Sequence, residues 1–561
     1  MINLLKKQKI SFSIAILLVS GIMINAQDLN KEVFVVRPYE PTLSDAEKHS
    51  FLPSVNNMET SIPSFQYKIS PKRFDSAFEP DPIKAAKTVT TSLPKIYNSW
   101  LKLGLGNYST PMAEFNISNL RSKEYSLGAY MYHKSSNGKV ILENDVPVNA
   151  GYVDNLIQVY GKRFFSGVTL AGSFNFEQHA FNYYGYNTDT IRLPFELDKD
   201  SIRQRNYKPG IDLELKSNHT DPEDFNFNIK AGFDYFIDRQ KNKEPYLNLK
   251  TQFTKGVSGF LGGLDMSLNY SRLTNNMDTS ETVNNNTVFR FNPWISKSSE
   301  DWQFKLGFEA AADINNISRF YFYPRANLDI IIIKDVLIPF IGVTGEMQQN
   351  NYQNLFNENM FITPGLMLKN TSKNFEAYGG LKGNISSVIR FRADASLTVY
   401  KDFHFFMNDT VTPPTLPPLQ NHFTGVYDDV NLITYHGQIA YSGKSFELMV
   451  DGKYFEYKTF EELKPWHMPD FTIDLDAVYR YNKFEFGAGF NILGNRWVKK
   501  YNVGAVKLKP VFDANLSLNY HYSKVLSVFA DFYNLSERSY YIWNQYPSQR
   551  FNFMVGFSYK L

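Results

Sequence analysis

The side chains that could perform chemistry are few and widely scattered. The chain of 561 residues has nine His and no Cys, which excludes thiolate metal sites, disulfides, a thiol nucleophile and a lipid-modified Cys. It has no His-Glu-x-x-His motif. His133 precedes Ser135 and Ser136, but residues two apart on a strand share a face, and we expect them to form no catalytic dyad. We therefore predict no enzymatic activity, no catalytic residue, and no bound metal or cofactor.

Two aromatic-rich segments are the candidates for binding a ligand or a protein partner. Tyr and Trp make large, rigid contacts to carbohydrate or to protein. The alternative is packing within loops, or membrane-interface girdles, and the high aromatic content of 16% favours this alternative. The candidate residues are Phe181, Tyr183, Tyr184, Tyr186, Tyr540, Tyr541 and Trp543.

The N-terminus has the pattern of an export signal. Lys6, Lys7 and Lys9 precede an apolar run over residues 10–24, and Ala26 supplies the small residue expected before a cleavage site. The run is shorter than the ~20 residues that a membrane-spanning helix needs, which argues against an anchor. We predict a signal peptide over residues 1–26, cleaved near Ala26.

Charge and composition narrow the function classes further. The 59 basic and 56 acidic residues become 56 and 56 once the three signal Lys are removed, so the mature chain lacks the basic surface of a nucleic-acid-binding protein. Residues 27–98 are rich in Pro and have little periodic apolar content. We predict that they form a short periplasmic or lumen-associated segment, because so small a segment would not fold independently.

From residue 99 onward, apolar and polar residues alternate with a period of two. The runs are ~9–13 residues long, the length of a tilted strand that crosses a bilayer, whereas soluble strands average about half of that. Soluble propellers and sandwiches have apolar interiors, but here polar residues fill one whole face of each strand. We predict an all-β fold: a large antiparallel transmembrane β-barrel of about 22 strands, give or take two, over residues 99–561. One such run has its apolar face at Phe471, Ile473, Leu475, Ala477, Tyr479 and Tyr481.

The last strand carries its own signal. Apolar and aromatic residues occupy one face of this strand up to the final residue, whereas the ends of soluble chains usually fray. Many barrels present such a strand to the machinery that assembles them, and we predict that role here. The residues are Phe551, Phe553, Val555, Phe557, Tyr559 and Leu561.

From about residue 320 to the end, the chain contains the stretches Tyr323-Pro324-Arg325-Ala326-Asn327-Leu328, Phe529-Ala530-Asp531-Phe532-Tyr533-Asn534-Leu535, Ser539-Tyr540-Tyr541, Tyr546-Pro547 and Gly556-Phe557-Ser558-Tyr559-Lys560-Leu561. In these stretches the chain resembles the barrel of TonB-dependent outer-membrane receptors. The resemblance implies a receptor-type barrel with a polar lumen. Receptors of that family also have a plug domain and a TonB-binding box, whereas the 72 residues 27–98 show neither pattern. The expectation is therefore a barrel without its own plug.

These observations predict a transport or channel barrel in the outer membrane of a Gram-negative cell. The alternative is a non-transporting structural or accessory subunit of an outer-membrane complex that serves secretion or barrel assembly. The expected partners are outer-membrane lipid, the barrel-assembly machinery, and a periplasmic or surface protein, but no nucleic acid. The sequence names no substrate.

Overall fold

A computed structural model shows a closed, antiparallel barrel of 22 strands, which confirms the predicted fold class and strand number. The structure describes residues 97–120, 122–188, 191, 198–219, 221–277, 280–315, 318–409, 419–500 and 503–561. The predicted signal peptide and most of the predicted segment 27–98 lie outside these residues. The first strand begins at Ser99.

The strands, in chain order, are β1 (Ser99–Gly106), β2 (Thr110–Ser118), β3 (Tyr125–Ser136), β4 (Lys139–Ile141), β5 (Pro147–Asn149), β6 (Tyr152–Phe164), β7 (Val168–Asn182), β8 (Arg203–Ser217), β9 (Asn226–Asp238), β10 (Lys243–Val257), β11 (Phe260–Met277), β12 (Ser280–Ser298), β13 (Trp302–Ile314), β14 (Ser318–Ile330), β15 (Ile338–Gln348), β16 (Thr371–Ser386), β17 (Ile389–Asn408), β18 (Phe423–Ser442), β19 (Phe446–Thr459), β20 (Phe471–Tyr481), β21 (Phe484–Leu493), β22 (Arg496–Lys500), β23 (Gly504–Leu508), β24 (Val511–His521), β25 (Leu526–Tyr533), β26 (Tyr541–Trp543), β27 (Tyr546–Pro547) and β28 (Asn552–Lys560). The short pairs β4–β5, β22–β23 and β26–β27 are hairpins within connections, and the other strands form the wall. Two short helices, α1 (Lys199–Ile202) and α2 (Tyr352–Glu358), also lie in connections.

Each wall strand pairs with the next one along the chain, and the last strand closes the barrel on the first. The register of β1 with β28 runs from Trp100 opposite Lys560 to Gly106 opposite Met554. Closure at this seam pairs the edges that an open sheet would leave exposed, which a wall in lipid requires. No helix among the described residues is long and apolar enough to span a bilayer.

The two faces of the wall differ as the alternation predicts. On the last strand Val555 is 47% exposed on the outer face, whereas Met554 beside it is buried on the inner face. Phe553, Phe557, Tyr559 and Leu561 are exposed on the same face as Val555. The inner face carries ion pairs between strands: for example, His436 on β18 lies 3.0 Å from the Asp394 carboxylate and 2.9 Å from that of Asp451.

The connections differ sharply between the two rims. One rim has short turns, including 165–167, 258–259, 387–388 and 482–483. The opposite rim, called the long-loop rim below, carries all the longest connections: 137–151, 183–202, 349–370, 409–422, 460–470, 494–510 and 534–551. In outer-membrane barrels, long loops lie on the extracellular side.

One strand pair in the wall is incomplete. β14 pairs with β13 along its whole length, but with β15 only over Ala326–Asp329. Beyond Val343, β15 turns toward the lumen, where Met347 packs on inward-facing Val288 and Ala311. The edge of β14 over residues 318–325 is left unpaired, and its outward Phe320 is 83% exposed.

Candidate functional site

The connections of the long-loop rim pack together into one apolar cluster, called the cap below. Five of the long connections contribute buried side chains, and the ends of several wall strands contribute the rest. Ten of the 21 buried members are aromatic, and their rings bury a large apolar area while the Tyr hydroxyls stay available for hydrogen bonds. The buried members are Val140, Leu142, Val148, Ala150, Phe181, Tyr183, Tyr186, Ile202, Phe236, Leu273, Tyr352, Leu355, Phe356, Phe361, Ile362, Leu366, Leu368, Phe406, Leu419, Phe423 and Tyr546.

The cap crosses the mouth of the barrel. Tyr183 lies in the connection after β7, and Asn421 lies in the connection after β17. These two strands lie ten strands apart in a wall of 22. The Asn421 side chain nevertheless donates a hydrogen bond of 2.9 Å to the Tyr183 carbonyl. The Tyr183 hydroxyl donates at 3.0 Å to the carbonyl of Ile362, in the connection after β15. Loops from nearly opposite walls are therefore joined directly.

Tyr546 lies at the centre of these contacts. Its ring stacks on that of Phe361, with centroids 3.5 Å apart, and makes an edge contact with Tyr184. Its hydroxyl donates a hydrogen bond of 2.8 Å to the carbonyl of Asn421. One side chain from the last connection thus holds three other connections in place.

A buried carboxylate fixes one side of the cap to the wall. Glu244, at the start of β10, is fully buried and accepts hydrogen bonds from the backbone N–H groups of Tyr352 (3.0 Å) and Gln353 (2.9 Å). These residues form the first turn of α2, where free N–H groups favour a negative charge. Asn351 caps the same turn by accepting from the Asn354 N–H at 2.8 Å.

Two buried histidines are held neutral in this region. Neither ring nitrogen of His422 has a hydrogen-bond partner in the protein, and its ring lies 4.4 Å from that of Tyr183. Burial lowers the pKa of His422 to about 4. His467 contacts the carbonyl of Phe406 at 2.7 Å, and burial lowers its pKa to about 3. Protonating either ring would place an uncompensated charge in an apolar environment.

The structure brings the two predicted aromatic segments together in the cap. Phe181, Tyr183 and Tyr186 are buried there, and Tyr184 and Trp543 pack against the cluster. Tyr540 and Tyr541 are partly buried beside it. A role for these seven residues in binding a ligand or a partner stays a prediction. Phe361 and Ile362 were not predicted from the sequence, because their connection shows no periodic pattern, and neither was Phe423 at the start of β18.

A second group of side chains lies at the end of β3. His133 and Ser135 share one face of the strand, as their spacing predicts, and Ser135 Oγ lies 3.2 Å from His133 Nε2. Adjacent side chains on one face of a strand lie close enough for a hydrogen bond when both lean toward each other. Among the residues that the structure describes, no group of three or more His, Asp or Glu has a metal-binding arrangement.

Comparisons with known proteins identify the fold. No family model and no curated protein sequence matches the chain. Solved structures that match include TonB-dependent outer-membrane receptors. The FrpB iron transporter from Neisseria meningitidis has a TM-score of 0.64 at 9% identity, over 84% of this chain and 83% of that chain. The pyoverdine receptor FpvA from Pseudomonas aeruginosa has 0.61 at 10%, over 83% and 78%. The ferric-catecholate import receptor Fiu from E. coli has 0.61 at 9%, over 83% and 81%.

Proposed function

We propose that this protein is a gated, receptor-like transport barrel of the outer membrane whose cap closes the extracellular mouth. The observation that carries this proposal is the direct bonding of loops from nearly opposite walls, Asn421 to Tyr183 and Tyr183 to Ile362. A lumen lined with ion pairs is built for polar solutes, whereas the cap over it is apolar. A solute can pass the mouth only if these loops separate.

The outward face of the barrel and its shared fold support a location in the outer membrane. The outward face carries exposed Phe, Leu and Ile along the whole wall, which matches the lipid-facing band of membrane barrels. The chain shares its fold with receptors that include an iron transporter and a ferric-catecholate import receptor. The signal peptide, the absence of a plug, the barrel-assembly role of the last strand and the partners predicted above stay predictions.

Locking the cap chemically tests the proposal. Because the chain has no Cys, the double variant Tyr183→Cys with His422→Cys carries the only two thiols. A short bis-methanethiosulfonate should join them across the cap, and reduction should release them. In planar bilayers we expect occasional openings before cross-linking, none after it, and their return on reduction. The two single-Cys variants are the matched controls. Openings that persist in the cross-linked protein would contradict the proposal.

The unpaired edge of β14 favours a second candidate function, an accessory subunit of an outer-membrane complex. Phe291 on β12 and Phe322 on β14 are both register partners of Ala310 on β13. The unpaired edge carries the outward-facing Phe320 and Phe322, which are 83% and 67% exposed, and unpaired backbone groups in lipid are costly unless another strand covers them. A photo-cross-linking residue at Phe322 should capture an extended segment of a partner protein, and the same residue at Phe291 should not. Lipid adducts alone at Phe322 would count against this candidate.

A further inference from the structure

We propose that Ser135, His133 and Asn155 form an acyl-ester hydrolase site on the outer face of the barrel wall. Its substrates are the acyl esters of membrane lipids. Ser135 Oγ lies 3.2 Å from His133 Nε2, and His133 Nδ1 lies 2.6 Å from Asn155 Oδ1. This is the sequence of nucleophile, base and orienting group found in serine hydrolases.

A fourth residue, Gln178, determines which ring nitrogen of His133 carries the proton. The side-chain N–H of Asn155 donates a hydrogen bond of 3.0 Å to Gln178 Oε1 on β7, which turns the Asn155 carbonyl toward His133. A carbonyl only accepts, so Nδ1 of His133 carries the proton and Nε2 is left to accept from the Ser135 hydroxyl. Asn155 is thus a positioning residue for a base of the correct tautomer.

The position of the site indicates the substrate class. His133 lies on the same face of β3 as Met131, which is 48% exposed, and Met131 is opposite outward-facing Ile157 on β6. Acyl chains in the apolar band therefore contact the wall directly below the site. Ser135 lies next to the last residue of β3, at the long-loop rim. Lipid ester groups occupy this boundary between hydrocarbon and headgroups. On the neighbouring strand β2, the residue opposite His133 is Ala113, whose small side chain limits crowding beside the histidine ring.

The reaction balances with water as the only co-reactant. His133 Nε2 takes the Ser135 proton as Oγ bonds to the ester carbonyl carbon. The bond from that carbon to the alkoxy oxygen breaks, and the leaving oxygen takes the proton from Nε2, which releases the lysolipid. Water then gives a proton to Nε2 and its oxygen bonds to the acyl carbon. The Ser135 bond breaks, Oγ recovers the proton, and a fatty acid leaves.

The test uses the full chain purified in detergent, with mixed micelles of dioleoyl phosphatidylethanolamine as the ester and a fluorescent fluorophosphonate as the serine probe. We expect fatty-acid release and a probe adduct on Ser135. Ser135→Ala and His133→Ala should each lower the rate by at least about 10³-fold. Ser136→Ala, on the same strand but with its side chain buried on the other face, is the matched control and should retain both.

A positioning role for Asn155 gives a separate readout. Asn155→Ala should lower the rate by about 10²- to 10⁴-fold, and Asn155→Asp should restore much of it, because a carboxylate also accepts from Nδ1. The Asp variant should shift the acidic limb of the pH–rate profile upward, which a structural role alone would not do. No fatty-acid release, or release unchanged in Ser135→Ala with no adduct on Ser135, would overturn the proposal.

Discussion

Replacing Tyr546 by Ala should open the cap. The side chain is almost fully buried, and truncating a buried aromatic residue to Ala costs about 3–5 kcal/mol. Its hydrogen bond to the Asn421 carbonyl adds about 1 kcal/mol. If the open state exposes Tyr546 to water, nearly all of this cost falls on the closed state. At about 1.4 kcal/mol for each factor of ten, the ratio of open to closed protein should rise roughly 10³- to 10⁴-fold.

The conservative variant Tyr546→Phe separates the contribution of the hydroxyl to the closed state from that of the ring. It keeps the stack on Phe361 and loses only the hydroxyl, so about 1 kcal/mol and a roughly fivefold rise are expected. Single-channel recordings at matched protein amounts measure the open fraction. Tyr522→Ala, at an exposed tyrosine on the short-turn rim, is the control and should leave it unchanged. If Tyr546→Ala folds normally and conducts like the parent protein, the cap is not what closes the pathway.

Three further results are expected. Acidification from pH 7 to pH 4 should raise the open fraction. The pKa of His422 is about 4 in the cap and 6.5 ordinarily, so the stabilisation that neutral His422 gives the closed cap is complete above pH 6.5. That stabilisation is lost as the pH falls toward 4, by about 3 kcal/mol in all. In recordings across this pH range, His422→Phe should flatten the dependence, leaving the part that His467 contributes over the same window and below it. Glu244→Leu should remove the acceptor of the first turn of α2 and lower hydrogen-exchange protection at Tyr352 by about 100-fold, an effect of about 3 kcal/mol. Deleting residues 27–94 should raise conductance if they occupy the lumen, and unchanged conductance would refute that placement.

The barrel wall was predictable from local pattern alone. A residue's face in a strand depends only on its position parity, so Phe471 to Tyr481 reveal an outward face without knowledge of any partner strand. The strand number followed from the same runs. The long connection 349–370 lacks this alternation, so its structure could not be predicted in the same way.

The cap was not predictable, because its contacts join residues that are distant in sequence. The hydrogen bond from Asn421 to Tyr183 spans 238 positions, and nothing in either connection records the other. Aromatic content flagged Tyr183 and Trp543, but Phe361 lies in an Asn-rich stretch without periodicity. Strand parity placed His133 and Ser135 on one face correctly. The distance between their side chains could not be predicted, because the direction in which each leans along the strand depends on neighbours such as Asn155.

The energetics of the cap restrict what kind of ligand can open it. Shifting a closed state from 99:1 to 1:99 requires a ligand that prefers the open form by about 10⁴-fold, or about 5.5 kcal/mol. A polar solute that contacts only the lumen lining has no reason to prefer either state, because the lining ion pairs lie on the rigid wall. Differential affinity must come from groups that opening exposes, and those are mainly the rings of Tyr183, Phe361 and Tyr546. A ligand or partner protein that opens this barrel must therefore present an apolar or aromatic surface to the cap, whatever the polarity of the cargo.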